Sequence, residues 1–274
     1  MRGKSKMIVF VCIKQVPGTV DVKIDPKTGT LVRDNIPAII NPLDKHAIEA
    51  ALQVKDMNGA ETIAISMGPP QAEEALREAL AMGMDKACLL TDKAFAGADT
   101  LATSYTIAQA IKKFLAESSE IAPYLVICGT QAIDGDTAQV GAELAESLGI
   151  PHISYTSNLV VKDNTVVAHQ ELAQNEVAVL EALLPVLVTV TKEINIPRLP
   201  SISSIVDAYD KKKIIKWNAV EIEADITKIG YSGSRTQVWK IFSPEKKTGK
   251  IQITGTAEEI AQQLCKSFKD EKLI

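Results

Sequence analysis

Short, uninterrupted apolar runs alternate with segments of helical periodicity through the first two thirds of the chain. The runs are MIVFVCI at 7–13, ETIAISMG at 61–68, KACLLTD at 86–92, YLVICGT at 124–130 and LPVLVTVT at 184–191. Runs this short, apolar at successive positions, suit strands buried on both faces. Between them, apolar positions recur at helical spacing near 44–57, 70–82, 99–117 and 136–147, predicting crossover helices. In NPLDKHAIEAALQVKD, Asp44 reads as the N-cap and Ala47, Ile48, Ala51 and Leu52 share a face. GPPQAEEALREALAMG sets prolines in a first helical turn and Gly83 just past the end. The pattern predicts an α/β fold: a Rossmann-like, doubly wound, mostly parallel sheet.

Between 152 and 182 the period shifts toward two, and KDN makes a hairpin turn, so an antiparallel excursion is expected at the sheet edge. After Thr191 the chain turns rich in proline, serine and lysine, and residues 193–250 read as an extended arm outside the core. GKIQITG then predicts a last strand before an amphipathic helix. That helix needs a surface, on this chain or another, to bury Ile260, Leu264 and Phe268. The expected division is an α/β domain over 1–192 and an arm over 193–274.

Composition narrows the function classes. In 274 residues, 46% hydrophobic, 30 basic and 34 acidic side chains are well mixed and leave a net charge of −4, so no field points to nucleic acid. Cys12, Cys88, Cys128 and Cys265 lie far apart, as do His46, His152 and His169. No zinc, iron–sulfur or hydrolytic-triad spacing follows from them. The start MRGKSKMIVFVCIK resembles a secretion signal only superficially, because Lys14 stands where a small-residue cleavage site belongs. Met1 to Lys6 read as a frayed extension of the first strand. No apolar run is long enough to span a bilayer, and a cytoplasmic protein with reduced cysteines is expected.

The candidate chemistry lies in GTQAIDGDTAQVGAELA at 129–145. A strand ending in CGT and a helix opening at DTAQVG set free backbone N–H groups at the carboxyl edge of a parallel sheet, where the helix dipole favours an anion. Gly135 admits close backbone approach, and Thr137 can donate its hydroxyl. The plainer reading is that Asp134 or Asp136 caps the helix. Neither a Walker nor a Rossmann glycine pattern is present. The loops CIKQVPGT at 12–19 and SMGPP at 66–70, with IINPLD nearby, converge on the same edge of such a sheet. Asn41 has the amide to read an adenine edge, and Asp44 either holds a ribose hydroxyl or caps its helix.

VCIKQVPGT, IINPLDKHAIEAAL, SMGPPQAEEALREALAMGMDKACLL, GTQAIDGDTAQVG and LPVLVTVTKEINIPRLPS occur in the order and spacing of the β subunit of electron-transfer flavoproteins, and the chain resembles that family over nearly its whole length. The resemblance implies a Rossmann-like β subunit paired with an α subunit that carries FAD and is embraced by the C-terminal arm. It implies a nucleotide pocket at Cys12, Asn41, Asp44 and Met67, completed by the loop Thr130, Gln131, Asp134, Gly135, Asp136, Thr137, Ala138, Gln139 and Gly141. One branch of the family holds AMP there; another, mainly anaerobic, holds a second FAD and bifurcates electrons from NADH. DGDTAQVG is similar to the FAD-holding branch, with Gly135 and Ala138 small enough to leave room for a second phosphate and a ribityl chain. The implied partners are the α subunit, a flavin-dependent dehydrogenase of acyl-CoA or hydroxy-acid type, and ferredoxin or flavodoxin. No side chain need act as an acid or base.

By position in the arm, Ile202 corresponds to the aliphatic residue that plugs a pocket on the dehydrogenase. One departure from the family pattern is AHQELAQNEVAVLEALLPVLV, which lacks the usual glycine while keeping Glu171 and Glu176. A conventional subunit with AMP is the alternative. An adenine-nucleotide sensor of the universal-stress type shares the core but leaves the arm unexplained.

Overall fold

The computed structural model describes residues 6–18, 23–24, 31–32, 37–118, 122–237 and 252–274. Nine strands make the main sheet: β1 (Ile8–Cys12), β2 (Glu61–Met67), β3 (Lys86–Leu90), β4 (Tyr124–Gly129), β5 (His152–Lys162), β6 (Thr165–Glu171), β7 (Val177–Leu183), β8 (Val186–Val190) and β9 (Ile214–Trp217). Their order across the sheet is β7, β6, β5, β8, β4, β1, β2, β3, β9. Pairing is parallel from β5 to β9 and antiparallel where β6 meets β5 and β7. This is the expected α/β class, with the expected hairpin turning at Asp163 in positive φ.

Both faces of the sheet are covered because successive side chains point to opposite layers. Val9 and Val11 enter the core formed with α1 (Pro42–Asn58) and α2 (Glu73–Met82) through Ile48, Leu52, Leu76 and Leu80. Ile8, Phe10 and Cys12 enter the opposite core, against Ile107 and Ile111 of α3 (Thr100–Glu117) and Leu144 of α4 (Val140–Leu148). From β1 the chain builds outward through β2 and β3, then crosses back to β4 on the other side of β1. A switch in winding direction opens a crevice at the carboxyl ends of the strands.

The region after Thr191 departs from the sequence reading. Within 193–250, α5 (Ile202–Asp210) buries Ala208, and β9 extends the sheet beside β3. Trp217 packs on Phe114 with ring centroids 4.5 Å apart, and Ile222 and Ile229 are buried in the same core. Only IIKW, four residues behind a lysine run, signals this edge strand, which is too short to display a period. The compact units divide accordingly: Met1–Lys23 with Leu31–Trp239, and Ile24–Thr30 with Lys240–Ile274.

In the second unit, α6 (Ala257–Asp270) opens with a reciprocal capping box between Thr256 and Glu259. It exposes Ile260, Leu264 and Phe268 at a spacing of four. The expected last strand does not form at 252–255, and its start at 249–251 lies outside the described residues, as do Met1 to Ser5.

Candidate functional site

Four loops at the carboxyl edge, after β1, β2, β3 and β4, enclose a cavity of about 760 Å³. Its floor is β1 and β4, where Cys12 and Cys128 face each other in register. A hydrogen bond to Cys12, together with burial, holds the Cys128 thiol well above its usual range. Cys128 is therefore a neutral wall. Met67 closes the β2 side. Gly129 lets β4 run against α1: a β-carbon there collides with Asp44 Oδ1 and meets the Leu43 carbonyl carbon at 2.8 Å.

Asp44 was expected to cap α1. The helix instead starts at Pro42 after Asn41, because proline pre-sets the first helical φ. Asp44 falls in the first turn, buried, and its carboxylate accepts from Lys14 N at 2.8 Å, from Asn41 Nδ2 at 3.0 Å and from the Gly129 backbone. Burial outweighs those bonds and pushes the Asp44 pKa up to about 7.

Asn41 does not reach the cavity. Fully buried, its Nδ2 also donates to Gln131 O at 2.9 Å, and its Oδ1 accepts from Ile133 N at 3.1 Å. Its amide thus shapes the loop after β4 from beneath. Asp134 also stands outside the cavity wall, in an ion pair with Lys14 at 2.7 Å.

Gln131 and Gly135 to Gly141 all line the cavity, in a conformation the sequence did not foretell. The helix begins at Val140 rather than 136, because Asp136 and Ala138 take positive φ, 53° and 54°, which a right-handed helix excludes. Neither aspartate caps it: the N-cap is Gln139, with no side-chain cap bond, and Asp136 accepts from Gln131 Nε2 at 2.6 Å.

Left-handed Ala138 followed by right-handed Gln139 turns successive N–H groups toward one concavity, a backbone arrangement suited to anions. The N–H groups of Val140, Gly141 and Ala142 follow, without intrahelical partners as in any first helical turn. A β-carbon on Gly135 meets nothing within 4 Å, so open space lies over this turn. One on Gly141 collides with Thr189 Cγ2, so that glycine lets α4 pack closely on β8. Thr130 lines the wall, but its hydroxyl donates to Val190 O at 2.8 Å.

The loop after β3 was missed. Phe95, Gly97, Asp99 and Thr100 form the fourth wall. Asp99 caps α3 through Ala102 N at 2.9 Å and accepts from Arg235 N and Thr236 N at 2.7 and 2.9 Å. Burial works to raise its carboxyl, but these backbone bonds prevail and hold it below the usual range. Gly230, at φ 54°, lets the following turn press on this loop, since a β-carbon there collides with Ala94 O. The available signal was AFAGAD, small residues between a strand end and a helix cap, the pattern already used at the other loops.

Ile202 is the first residue of α5, after the Ser201 cap, and is 84% exposed. Among the described residues no group of three or more His, Cys, Asp or Glu is arranged to hold a metal ion. None of their helices is long and apolar enough to cross a membrane.

The sheet, its switch point and the crevice above it place the chain in the Rossmann-like doubly wound class, whose ligands sit at this edge. The model of the electron transfer flavoprotein domain matches residues 28–222, and the chain belongs to that family, in its β-subunit branch. It is 47% identical to the caffeyl-CoA reductase-Etf complex subunit CarD of Acetobacterium woodii, over 98% of this chain and 100% of that one. The electron transfer flavoprotein subunit beta of Clostridium acetobutylicum is also 47% identical, over 98% of this chain and all of its own. Protein FixA of Sinorhizobium fredii is 42% identical over 94% of this chain and 91% of its own.

Proposed function

We propose that the chain is the β subunit of a heterodimeric, electron-bifurcating flavoprotein and that its crevice holds FAD. The supporting observation is the reach of the cavity, about 760 Å³, from the anion-ready turn at 135–141 across the β1/β4 switch to the loops after β2 and β3. An adenylate fills only part of a cavity of this volume, whereas a dinucleotide occupies more of it. When bound, the flavin supplies hydride acceptance from NADH and one-electron delivery, to ferredoxin or flavodoxin and, through the α-subunit FAD, to a flavin-dependent dehydrogenase.

This chain's own residues bind, orient and exclude water. The N–H groups around Ala138 to Ala142 face the diphosphate, and Thr137 adds a hydroxyl. Gly135 leaves the approach open, and Cys12, Met67 and Phe95 form apolar walls. Asn41 acts beneath, by holding the loop at Gln131 and Ile133, while Asp44 stands in the cavity wall, bonded to Lys14 N and the Gly129 backbone. Ile202, exposed at the start of α5, is the anchor for the dehydrogenase. The relative named as part of a caffeyl-CoA reductase complex supports an acyl-CoA type of partner.

The test is anaerobic NADH oxidation by the purified heterodimer with ferredoxin, with and without a dehydrogenase and its acceptor. Ferredoxin reduction that requires the dehydrogenase acceptor is expected. Electron flow to the dehydrogenase with no ferredoxin reduced would overturn bifurcation and favour a conventional subunit holding AMP.

A further inference from the structure

Residues 195–201 lead from the 3-10 turn at Lys192–Ile194 into α5 without regular structure, yet they are fastened to α1. Asn195 Nδ2 donates to His46 O at 3.0 Å, and His46 Nδ1 lies 3.1 Å from both Asn195 oxygens. Arg198 donates to Glu49 from its backbone N at 3.1 Å, from Nε at 2.8 Å and from Nη2 at 3.1 Å, and from Nη2 to Asp56 at 2.9 Å. Glu49 is only 5% exposed, and a carboxylate that deep is retained where it is paired and hydrogen-bonded. On either side of Arg198, Ile196 and Leu199 remain 90% and 91% exposed. The backbone is thus tied down while its aliphatic side chains point away from the fold.

We infer that Glu49, acting through Arg198, is a positioning residue for docking: it fixes the backbone ahead of Ile202 so that Ile196, Leu199 and Ile202 meet the dehydrogenase as one prearranged aliphatic comb. This rests on the docking role proposed for Ile202. Ordering a free segment at each encounter costs conformational entropy for every residue fixed. A segment ordered beforehand carries no such cost into association. The bidentate grip of Arg198 also explains why a guanidinium, rather than an ammonium, stands there.

Glu49→Ala removes the acceptor without stranding a buried charge, keeps a strong helix former in α1 and leaves Arg198 half-exposed to water. The heterodimer bearing this change, or Glu49→Gln, is compared with wild type using caffeyl-CoA reductase as the acceptor enzyme. For Glu49→Ala, KM for the reductase is expected to rise about fivefold, with kcat and NADH-dependent flavin reduction unchanged. Glu49→Gln, which keeps one acceptor, falls between. Hydrogen exchange at the Arg198 amide quickens in step. Unchanged KM or unchanged exchange overturns the positioning role, as does a parallel fall in kcat and flavin reduction. A wild-type heterodimer that reduces its flavin with NADH but not the reductase overturns the docking reading itself.

Discussion

The crevice and the 196–202 segment use the same helix for opposite ends. At the start of α1, Asn41 and Asp44 bond to the loops after β1 and β4, and Thr130 and Gln131 are likewise bonded within the chain. What remains for a ligand at the turn is mainly backbone, the N–H groups at the start of α4, with the Thr137 hydroxyl beside them. Further along α1, His46 and Glu49 bind the backbone of 195–198, and what remains available is side chain. On the proposed function, a small charged ligand is met by fixed dipoles, and a protein by exposed aliphatic anchors.

Changes on one side are expected to leave the other intact. The largest effect is expected from Gly135→Leu. The glycine is not in the left-handed region and its β-carbon direction is open, so the fold tolerates a side chain added to this cavity-lining turn. Nucleotide affinity of the heterodimer should fall roughly a hundredfold, read by calorimetric titration, with the melting temperature of the stripped protein unchanged. Retained affinity would remove the turn at 135–141 from the site.

Asp44→Asn probes the buried carboxyl. Its pKa rises from 3.8 unfolded to about 7 folded, so folded Asp44 keeps a proton the unfolded chain releases between those values. Wild-type stability therefore loses this contribution as pH rises from about 4 to 7, by up to a few kcal/mol. The asparagine variant lacks that slope, and melting curves across the range check it. A profile parallel to wild type would mean the carboxyl is ionised throughout.

The smallest effect belongs to Ile202→Ala. It should raise KM for the dehydrogenase about tenfold, near 1.4 kcal/mol, with nucleotide content unchanged. Loss of nucleotide as well would merge the two regions into one structural unit.

The parallel strands and their loops were legible because burial on both faces leaves short apolar runs whose ends must share one edge. The loop after β3 obeyed the same rule and was passed over. Other features are carried by partners distant in sequence. Asn41 looks like a ligand reader until Gln131 and Ile133, about ninety residues away, occupy its amide. The left-handed turn was hidden for a different reason: aspartate tolerates positive φ, but alanine at 138 gives no hint of it. Glu49 lies on a helix whose periodicity predicts only burial, and Arg198 alone explains the charge there.

The central claim is a second flavin in this crevice. Denaturing the purified heterodimer and quantifying the released FAD and AMP tests it most directly. Two FAD per heterodimer and no AMP is the predicted inventory; one FAD with one AMP contradicts it.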